Sequence, residues 1–225
     1  MLPIRDTIVS RRTPAITRII FAVNILVFIW QLRQGRAMET AVYRLGVVPA
    51  HWMVNTLSDF LDWPQLFLTL ITSQFLHGSL LHVGFNMWYL WIFADNVEDR
   101  LGHFRFLLLY LGSGVAAAMT QLLITPHSSI PMIGASGAIA GILGAYLLMF
   151  PTARIVTLVP LGFFLETIEL PAALFLVLWF LLQWVQGVTS IGQIADVGGV
   201  AFWAHIGGFV AGMIGVALMR PRRHW

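Results

Sequence analysis

The feature that most constrains this chain is a series of apolar stretches, each about as long as a membrane-spanning helix. A span needs about 20 mostly apolar residues. Only 10% of the residues are charged, against roughly 25% in ordinary soluble domains. A soluble domain of 225 residues could not bury the 58% that are hydrophobic, so the sequence predicts an integral, multi-pass membrane protein. The six predicted spans cover residues 16–33, 79–97, 104–124, 136–150, 170–189 and 200–219.

The connections between the spans indicate one domain, which we predict to cover residues 1–225. Residues 1–15 form an arginine-bearing leader, and residues 220–225 form a short tail. The segment 34–75 mixes charged residues with tryptophan and phenylalanine, which is typical of a loop with short amphipathic helices in the membrane interface. The predicted fold class is therefore an all-α bundle of six transmembrane helices with a large outer loop between helices 1 and 2.

The arginines predict how this bundle is oriented. All 13 basic residues are arginine, and ten of them lie in the leader, in the connections after spans two and four, near the start of span one, or in the tail. The positive-inside rule then places both termini in the cytoplasm. Because the arginines cluster at helix ends, we expect the protein to interact with a lipid bilayer and not to bind nucleic acid. The chain has no cysteine, which excludes disulfides and thiolate metal sites.

The fourth span is too short to cross a bilayer unaided. Residues 136–150 would make roughly 22 Å of helix, whereas the hydrocarbon core is about 30 Å thick. The preceding segment contains Pro126, Pro131 and Gly134, so it cannot be regular helix. Irregular backbone at membrane depth is tolerated where it is buried in protein or lines a water-filled cavity. We therefore expect a wet pocket on the outer side, with Ser136 at its floor on a short central helix 4.

Polar side chains within apolar spans are candidates for function, because burying them in lipid is costly. Ser136 opens span four among small residues, at a helix N-terminus whose free N–H groups suit a developing oxyanion. His205 lies in the first turns of span six, at a matching depth and among glycines that allow close packing. A Ser136–His205 hydrogen bond is therefore geometrically reasonable. Taken singly, Ser136 could be a helix N-cap and His205 a satisfied core residue.

A second pair of polar residues lies on span two. His82 and Asn86 are four residues apart and so share one helix face, where two donors aimed at one point would resemble an oxyanion hole. The alternative is ordinary hydrogen bonding between helices. No carboxylate is predicted at the same depth, because Asp196 falls in the loop before span six and the acidic residues of span two lie at its cytoplasmic end. This favours a Ser–His dyad over a triad.

Three motifs, in this order and on these spans, resemble the rhomboid family of intramembrane serine proteases. The matching segments are His77-Gly-Ser-Leu-Leu-His82-Val-Gly-Phe-Asn86, Gly134-Ala-Ser-Gly137 and Ala204-His205-Ile-Gly-Gly-Phe-Val-Ala-Gly212, together with Val97-Glu-Asp-Arg-Leu-Gly102. The resemblance covers spans two to six. It implies Ser136 as nucleophile, His205 as base, and His82, Asn86 and the Ser136 backbone N–H as oxyanion donors. It also implies Phe85 and Trp179 as residues of a substrate gate between spans two and five.

Two positions depart from the pattern of the family. Many members have a Trp-Arg pair in the first loop, whereas here Trp63 is followed by Pro64. Some members have a tyrosine stacked on the base four residues after the nucleophile, and here that residue is Ala140. We therefore expect another ring, Trp203 or Phe202, to fix the orientation of His205.

The sequence thus predicts a serine endopeptidase that cleaves in or beside transmembrane helices and needs no metal or cofactor. Its expected substrates are single-pass or polytopic membrane proteins, and its expected location is a prokaryotic plasma membrane. Three alternatives remain open at this point. A transporter with a broken helix would show similar polar clusters, a haem or metal protein could use His77, His82 and His205, and an inactive rhomboid-like protein could bind without cleaving.

Overall fold

The apolar stretches of the sequence form helices in the computed structural model, which describes residues 2–54, 63–161, 164–190 and 200–219. The predicted tail, residues 220–225, and Asp196 lie outside these ranges. In chain order the helices are α1 (Ala15–Arg33), α2 (Met38–Leu45), α3 (Pro49–Val54), α4 (Trp63–Thr72), α5 (Leu80–Leu101), α6 (His103–Ile124), α7 (Ser136–Met149), α8 (Ala172–Ser190) and α9 (Phe202–Met219). The strands are β1 (Leu2–Asp6), β2 (Arg154–Leu161) and β3 (Phe164–Pro171). The architecture is mostly helical, as predicted.

Four helices in the described ranges are long and apolar enough to cross a membrane, namely α1, α6, α8 and α9. A fifth crossing is obtained if α4, its following 3-10 turn and α5 count as one span bent by 81°. Helix α8 carries exposed leucines and valines, such as Leu182 and Val185. Exposure of these apolar side chains is unfavourable in water and favourable in lipid. The protein is therefore an integral membrane protein.

Helix α7 is the short central helix that the sequence predicts. It has 14 residues, and every residue from Gly137 to Tyr146 is buried. A helix that is apolar all round is stable only when it is enclosed on all sides, and α5, α6, α8 and α9 all contact it. Its first residue is Ser136, so this enclosure places the serine inside the bundle.

Glycines allow α7 and α9 to pack backbone against backbone, as expected from the sequence. A Cβ atom added to Gly212 would lie 1.9 Å from the carbonyl oxygen of Gly141, and one added to Gly208 would lie 2.1 Å from that of Gly137. No real Cβ atom approaches a carbonyl oxygen that closely, so both positions require glycine. This contact fixes the depth of α9 relative to α7 and, with it, the height of His205 relative to Ser136.

The leader and the segment that joins α7 to α8 together form a three-stranded antiparallel sheet. The all-α prediction did not include this sheet. Its order is β1-β2-β3, with Leu2 opposite Leu158 and Arg154 opposite Pro171. The segment 154–161 is rich in β-branched residues, which favour strands. The leader is therefore not a bare extension, because Leu2–Asp6 is an edge strand of this sheet.

The loop between α1 and α5 contains short helices, as predicted for residues 34–75. A 3-10 turn at Gly35–Ala37 precedes α2, and another at Ser73–Phe75 follows α4. A two-residue bridge between Val47 and Met132 joins this loop to the irregular segment before α7. The loop therefore supports the backbone that leads into Ser136.

Candidate active site

A cavity of about 650 Å³ opens among α5, α6, α7, α8 and α9. Its wall includes all four polar residues that the sequence singles out: His82, Asn86, Ser136 and His205. The segment before α7 also lines it and is non-helical, as the prolines and Gly134 predict. The structure therefore brings together residues from three helices that are distant in the sequence.

One contact in this cavity joins α7 to α9. Ser136 Oγ lies 2.8 Å from His205 Nε2, a normal hydrogen-bond distance. Both side chains are partly exposed to the cavity rather than sealed in the core. The irregular segment ends at Gly134, whose φ of +125° is a conformation that favours glycine. The helix then begins at Ser136. The hydroxyl thus stands at a helix N-terminus with an imidazole beside it.

The second ring nitrogen of His205 has a partner that the sequence analysis missed. His205 Nδ1 lies 2.7 Å from Gln183 Oε1 on α8. Gln183 is itself a polar residue within an apolar span, so the criterion that selected the other four residues would also have selected it. Among the described residues, no carboxylate takes this position.

The aromatic ring beside His205 is that of Trp179, and the prediction of Trp203 or Phe202 is wrong. The centroids of Trp179 and His205 are 5.9 Å apart. Trp203 instead packs against Trp184 and donates its indole N–H to the carbonyl oxygen of Gly187. For Trp203 the reason is helical geometry, because residues two apart on α9 point in nearly opposite directions. Trp179 comes from α8, whereas both predicted residues are on α9.

His82 and Asn86 lie on one face of α5, as predicted, and both approach Gly134. A Cβ atom at Gly134 would be 2.7 Å from His82 Nε2 and 3.7 Å from Asn86 Nδ2. The backbone N–H of Gly78 points to His82 Nδ1 at 3.4 Å, a long contact that makes Nδ1 an acceptor and leaves the proton on Nε2. Asn86 is 6% exposed, and within the described ranges its Nδ2 has no hydrogen-bond partner. Two side-chain donors are therefore available near Ser136.

His77 supports His82 from behind. It is fully buried, and its ring meets that of His82 edge-on with centroids 5.0 Å apart. Gln31 on α1 holds the backbone of His77 from both sides, since its Oε1 accepts from His77 N at 2.9 Å and its Nε2 donates to His77 O at 3.2 Å. Sequence reasoning missed Gln31, although it too is a polar residue in a predicted span.

Phe85 and Trp179 lie on the wall of the same cavity. Phe85, on α5, is 55% exposed, whereas Trp179, on α8, is partly buried against His205. The two residues predicted for a gate are thus on the two helices that the resemblance implies. In the part of the chain that the structure describes, no three metal-binding side chains come together.

Comparisons with known proteins match the sequence of this chain to one family. A family model described as the Rhomboid domain matches residues 64–222. The chain is 36% identical over 107 residues to the putative rhomboid protease YdcA of Bacillus subtilis, and 29% identical over 199 residues to the rhomboid protease GluP of the same organism. It is 31% identical over 128 residues to the mitochondrial Rhomboid protein 1 of Saccharomyces cerevisiae. These matches cover 48%, 88% and 54% of this chain, but only 46%, 34% and 37% of those relatives.

Proposed function

Since the chain belongs to the rhomboid family, we propose that it is an intramembrane serine endopeptidase that hydrolyses peptide bonds in or beside transmembrane helices. Family membership supports intramembrane proteolysis in general. The observation that carries the finer proposal is the 2.8 Å contact between Ser136 Oγ and His205 Nε2. Nucleophile and base must lie within hydrogen-bond reach of each other, and this pair does so across two helices that are not adjacent in sequence.

The reaction begins with proton transfer from Ser136 to His205. Nε2 takes the hydroxyl proton as Oγ attacks the scissile carbonyl, which gives a tetrahedral intermediate. His205 then protonates the leaving amine, and the acyl group stays on Ser136. Water from the cavity then attacks the acyl carbon while His205 takes one of its protons, and His205 returns that proton to Ser136 Oγ as the ester C–O bond breaks and the carboxylic acid leaves. The residues of the chain perform every step, so the proposal requires no metal or cofactor.

The negative oxygen of the intermediate needs donors near Ser136. We assign this role to His82 Nε2, Asn86 Nδ2 and the backbone N–H of Ser136. The support is that both side chains approach Gly134 and that Asn86 Nδ2 is unpaired among the described residues. A buried donor without a partner is costly, and an oxyanion would satisfy it. Removing one such donor typically lowers the rate by about 10²–10³.

The proposed substrates are single-pass or polytopic membrane proteins. A helix engages its own carbonyl groups in hydrogen bonds, so the segment to be cut must be locally unwound before Ser136 can attack. We propose that it reaches the cavity between α5 and α8, past Phe85 and Trp179. Residues that weaken helices, such as glycine, are expected near the cut.

The proposed setting is a prokaryotic plasma membrane, with six spans and both termini in the cytoplasm. The distribution of arginine supports the orientation, through the positive-inside rule. In this arrangement α7 is the fourth span and its N-terminus opens below the outer surface. The cavity then faces the side opposite to the termini.

A mechanism-based probe tests the dyad directly. Purified protein in detergent is treated with a fluorophosphonate or isocoumarin, which labels only an activated serine. Labelling is expected in the wild type and is expected to be lost in both Ser136→Ala and His205→Ala. Ser128→Ala is the matched control, because Ser128 lines the same cavity and its hydroxyl accepts from the backbone N–H of Ile130. Equal labelling of wild type and Ser136→Ala would refute the proposal.

A further inference from the structure

His205 is held at both of its ring nitrogens. Nε2 faces Ser136 Oγ at 2.8 Å, and Nδ1 faces Gln183 Oε1 at 2.7 Å. A neutral imidazole has one N–H donor and one acceptor nitrogen. An imidazole that is to accept the serine proton at Nε2 must therefore carry its own proton at Nδ1. The amide oxygen of Gln183 is an acceptor placed where that N–H would point.

Helix α8 holds the imidazole in two independent ways. Gln183 and Trp179 are four residues apart and so share one face of α8. Gln183 meets the edge of the ring at Nδ1, and Trp179 lies beside it with 36° between the ring planes. The tryptophan restricts tilting of the imidazole, whereas the glutamine determines which nitrogen carries the proton. These roles are separable by substitution.

We propose that Gln183 is a positioning residue for the reaction: by accepting the Nδ1–H of His205, it keeps Nε2 free of a proton and directed at Ser136. This inference rests on the proposed function. When the serine proton moves to Nε2, the imidazolium keeps its Nδ1–H bond to Gln183, and the proton on Nε2 later passes to the leaving amine. Gln183 stays neutral throughout and takes up no proton.

An amide suits this position because Gln183 lies within a membrane-spanning helix. A carboxylate would stabilise the imidazolium more strongly, but an ionised carboxylate within a membrane segment is expensive. A neutral amide oxygen orients the ring at a smaller desolvation cost. Gln183 thus orients the histidine, as the aspartate of a triad does, but carries no negative charge to stabilise the imidazolium.

Two substitutions separate positioning from packing. Gln183→Met keeps the length and flexibility of the side chain but has no strong acceptor, whereas Gln183→Glu restores the acceptor and adds a charge. Gln186→Met is the matched control, because Gln186 is exposed on the same helix. Turnover of a transmembrane reporter is measured for each variant across pH, with kcat and KM separated and the thermal stability recorded.

Gln183→Met is expected to lower kcat about tenfold to a hundredfold, a part of the roughly 10²–10⁴ that a positioned base contributes, and to leave KM nearly unchanged. Gln183→Glu is expected to recover most of this loss. Its acid limb of kcat/KM should move to higher pH, because a carboxylate beside the ring stabilises the imidazolium. Gln186→Met should behave as the wild type. A purely structural role would lower the stability of both Gln183 variants and would leave the pH profile in place.

A spectroscopic test needs no activity. In the Ser136→Ala background, the ¹⁵N shifts of His205 should report an Nδ1–H tautomer with Gln183 present and a mixture of tautomers in Gln183→Met. The inference is overturned if Gln183→Met keeps the wild-type kcat and the His205 tautomer. That result, with Ser136→Ala inactive, would leave the proposed protease standing. Activity in Ser136→Ala would instead refute the protease proposal, whatever the tautomer shows.

Discussion

At the scale of one residue, Asn86 presents a hydrogen-bond donor, unpaired among the described residues, to the proposed active site. Its amide nitrogen is buried and lacks a partner within the described ranges, a state that normally costs about 1–3 kcal/mol. In the proposed mechanism this donor is engaged only when the oxyanion forms. An interaction made only in the transition state affects kcat rather than substrate binding.

The first prediction is therefore that Asn86→Ala lowers kcat by about 10²–10³ with little change in KM. Steady-state kinetics on a transmembrane reporter measure the two constants separately. Gly84→Ala, on the same helix, is the control, because an added Cβ atom there meets nothing within 4 Å. An Asn86→Ala variant with a raised KM and an unchanged kcat would assign the amide to binding instead.

Residues that stand out by chemistry could be found from the sequence, whereas their partners could not. His82, Asn86, Ser136 and His205 were identifiable because polar groups are rare in apolar spans. The sequence also contained Gln183, but not the fact that α8 turns this residue toward α9. That orientation depends on how α8 and α9 are rotated about their axes relative to each other. A helix that is apolar on every side has no apolar periodicity from which this rotation could be predicted.

At the scale of elements, the contact between α7 and α9 sets the geometry of the dyad. The backbones approach so closely that Gly212 has no room for a methyl group beside the carbonyl of Gly141. Any side chain there must push α9 away from α7. Because Ser136 and His205 are on these two helices, the same displacement would lengthen their hydrogen bond.

The second prediction concerns this contact: Gly212→Ala should destabilise the protein by about 1–3 kcal/mol, the usual cost of overpacking, and should reduce activity. Thermal unfolding in detergent measures the first effect and reporter cleavage the second. Gly112→Ala on α6 is the matched control, since nothing lies within 4 Å of its added Cβ, and alanine is a better helix former. Equal melting of Gly212→Ala and wild type would show that α7 and α9 tolerate separation.

The leader strand β1 is tied to the bundle through Asp6. Its Oδ2 accepts from Tyr146 Oη at 2.6 Å on α7 and from Asn96 Nδ2 at 2.7 Å on α5. Trp88, also on α5, donates to the carbonyl oxygen of Pro3 at 2.7 Å. Burial, the largest cause, and the charge of Asp95 together raise the pKa of Asp6 from 3.8 to about 6, against the opposing effect of the hydrogen bonds from Tyr146 and Asn96.

The third prediction follows from the sign of this shift. A folded-state pKa above the unfolded one means that the folded protein binds the proton more tightly, so rising pH disfavours folding. Relative to Asp6→Asn, the wild type should lose thermal stability as the pH rises from about 4 through 6, and the difference should level off above that. Melting temperatures of both proteins between pH 4 and pH 8 test this. A difference that stays constant, or that favours the wild type at high pH, would contradict it.

The helices were easier to predict from the sequence than the strands. The long apolar helices were predictable because membrane length and hydrophobicity impose them on any such sequence. The sheet was not predicted, because apolar windows of span length do not identify the segment 154–161. Its residues Ile155, Val156 and Thr157 instead favour a strand. Its partner β1 lies about 150 residues away in the chain, and no local pattern indicates such a pairing.

At the scale of the whole molecule, the orientation in the bilayer rests on the arginines. The chain contains no cysteine, so single cysteines can be introduced and labelled without background. Thr13, before α1, and Glu39 and Ser129, in two of the three connections assigned to the outer side, are all exposed. They therefore offer one probe for the cytoplasmic side and two for the opposite side.

The fourth prediction is that a membrane-impermeant maleimide labels Glu39→Cys and Ser129→Cys in intact cells, and labels Thr13→Cys only after the membrane is opened. Labelling is followed by the mass shift of the purified protein. Labelling of Thr13→Cys in intact cells would reverse the orientation and place the cavity on the cytoplasmic side.

The central claim is that Ser136 and His205 together cut a peptide bond within the membrane. The most direct measurement reconstitutes the purified protein in liposomes with a single-pass reporter and maps the products by mass spectrometry. The wild type is predicted to yield one new pair of ends in or beside the transmembrane segment, and Ser136→Ala and His205→Ala are predicted to yield none. Cleavage at the same bond by Ser136→Ala would contradict the account.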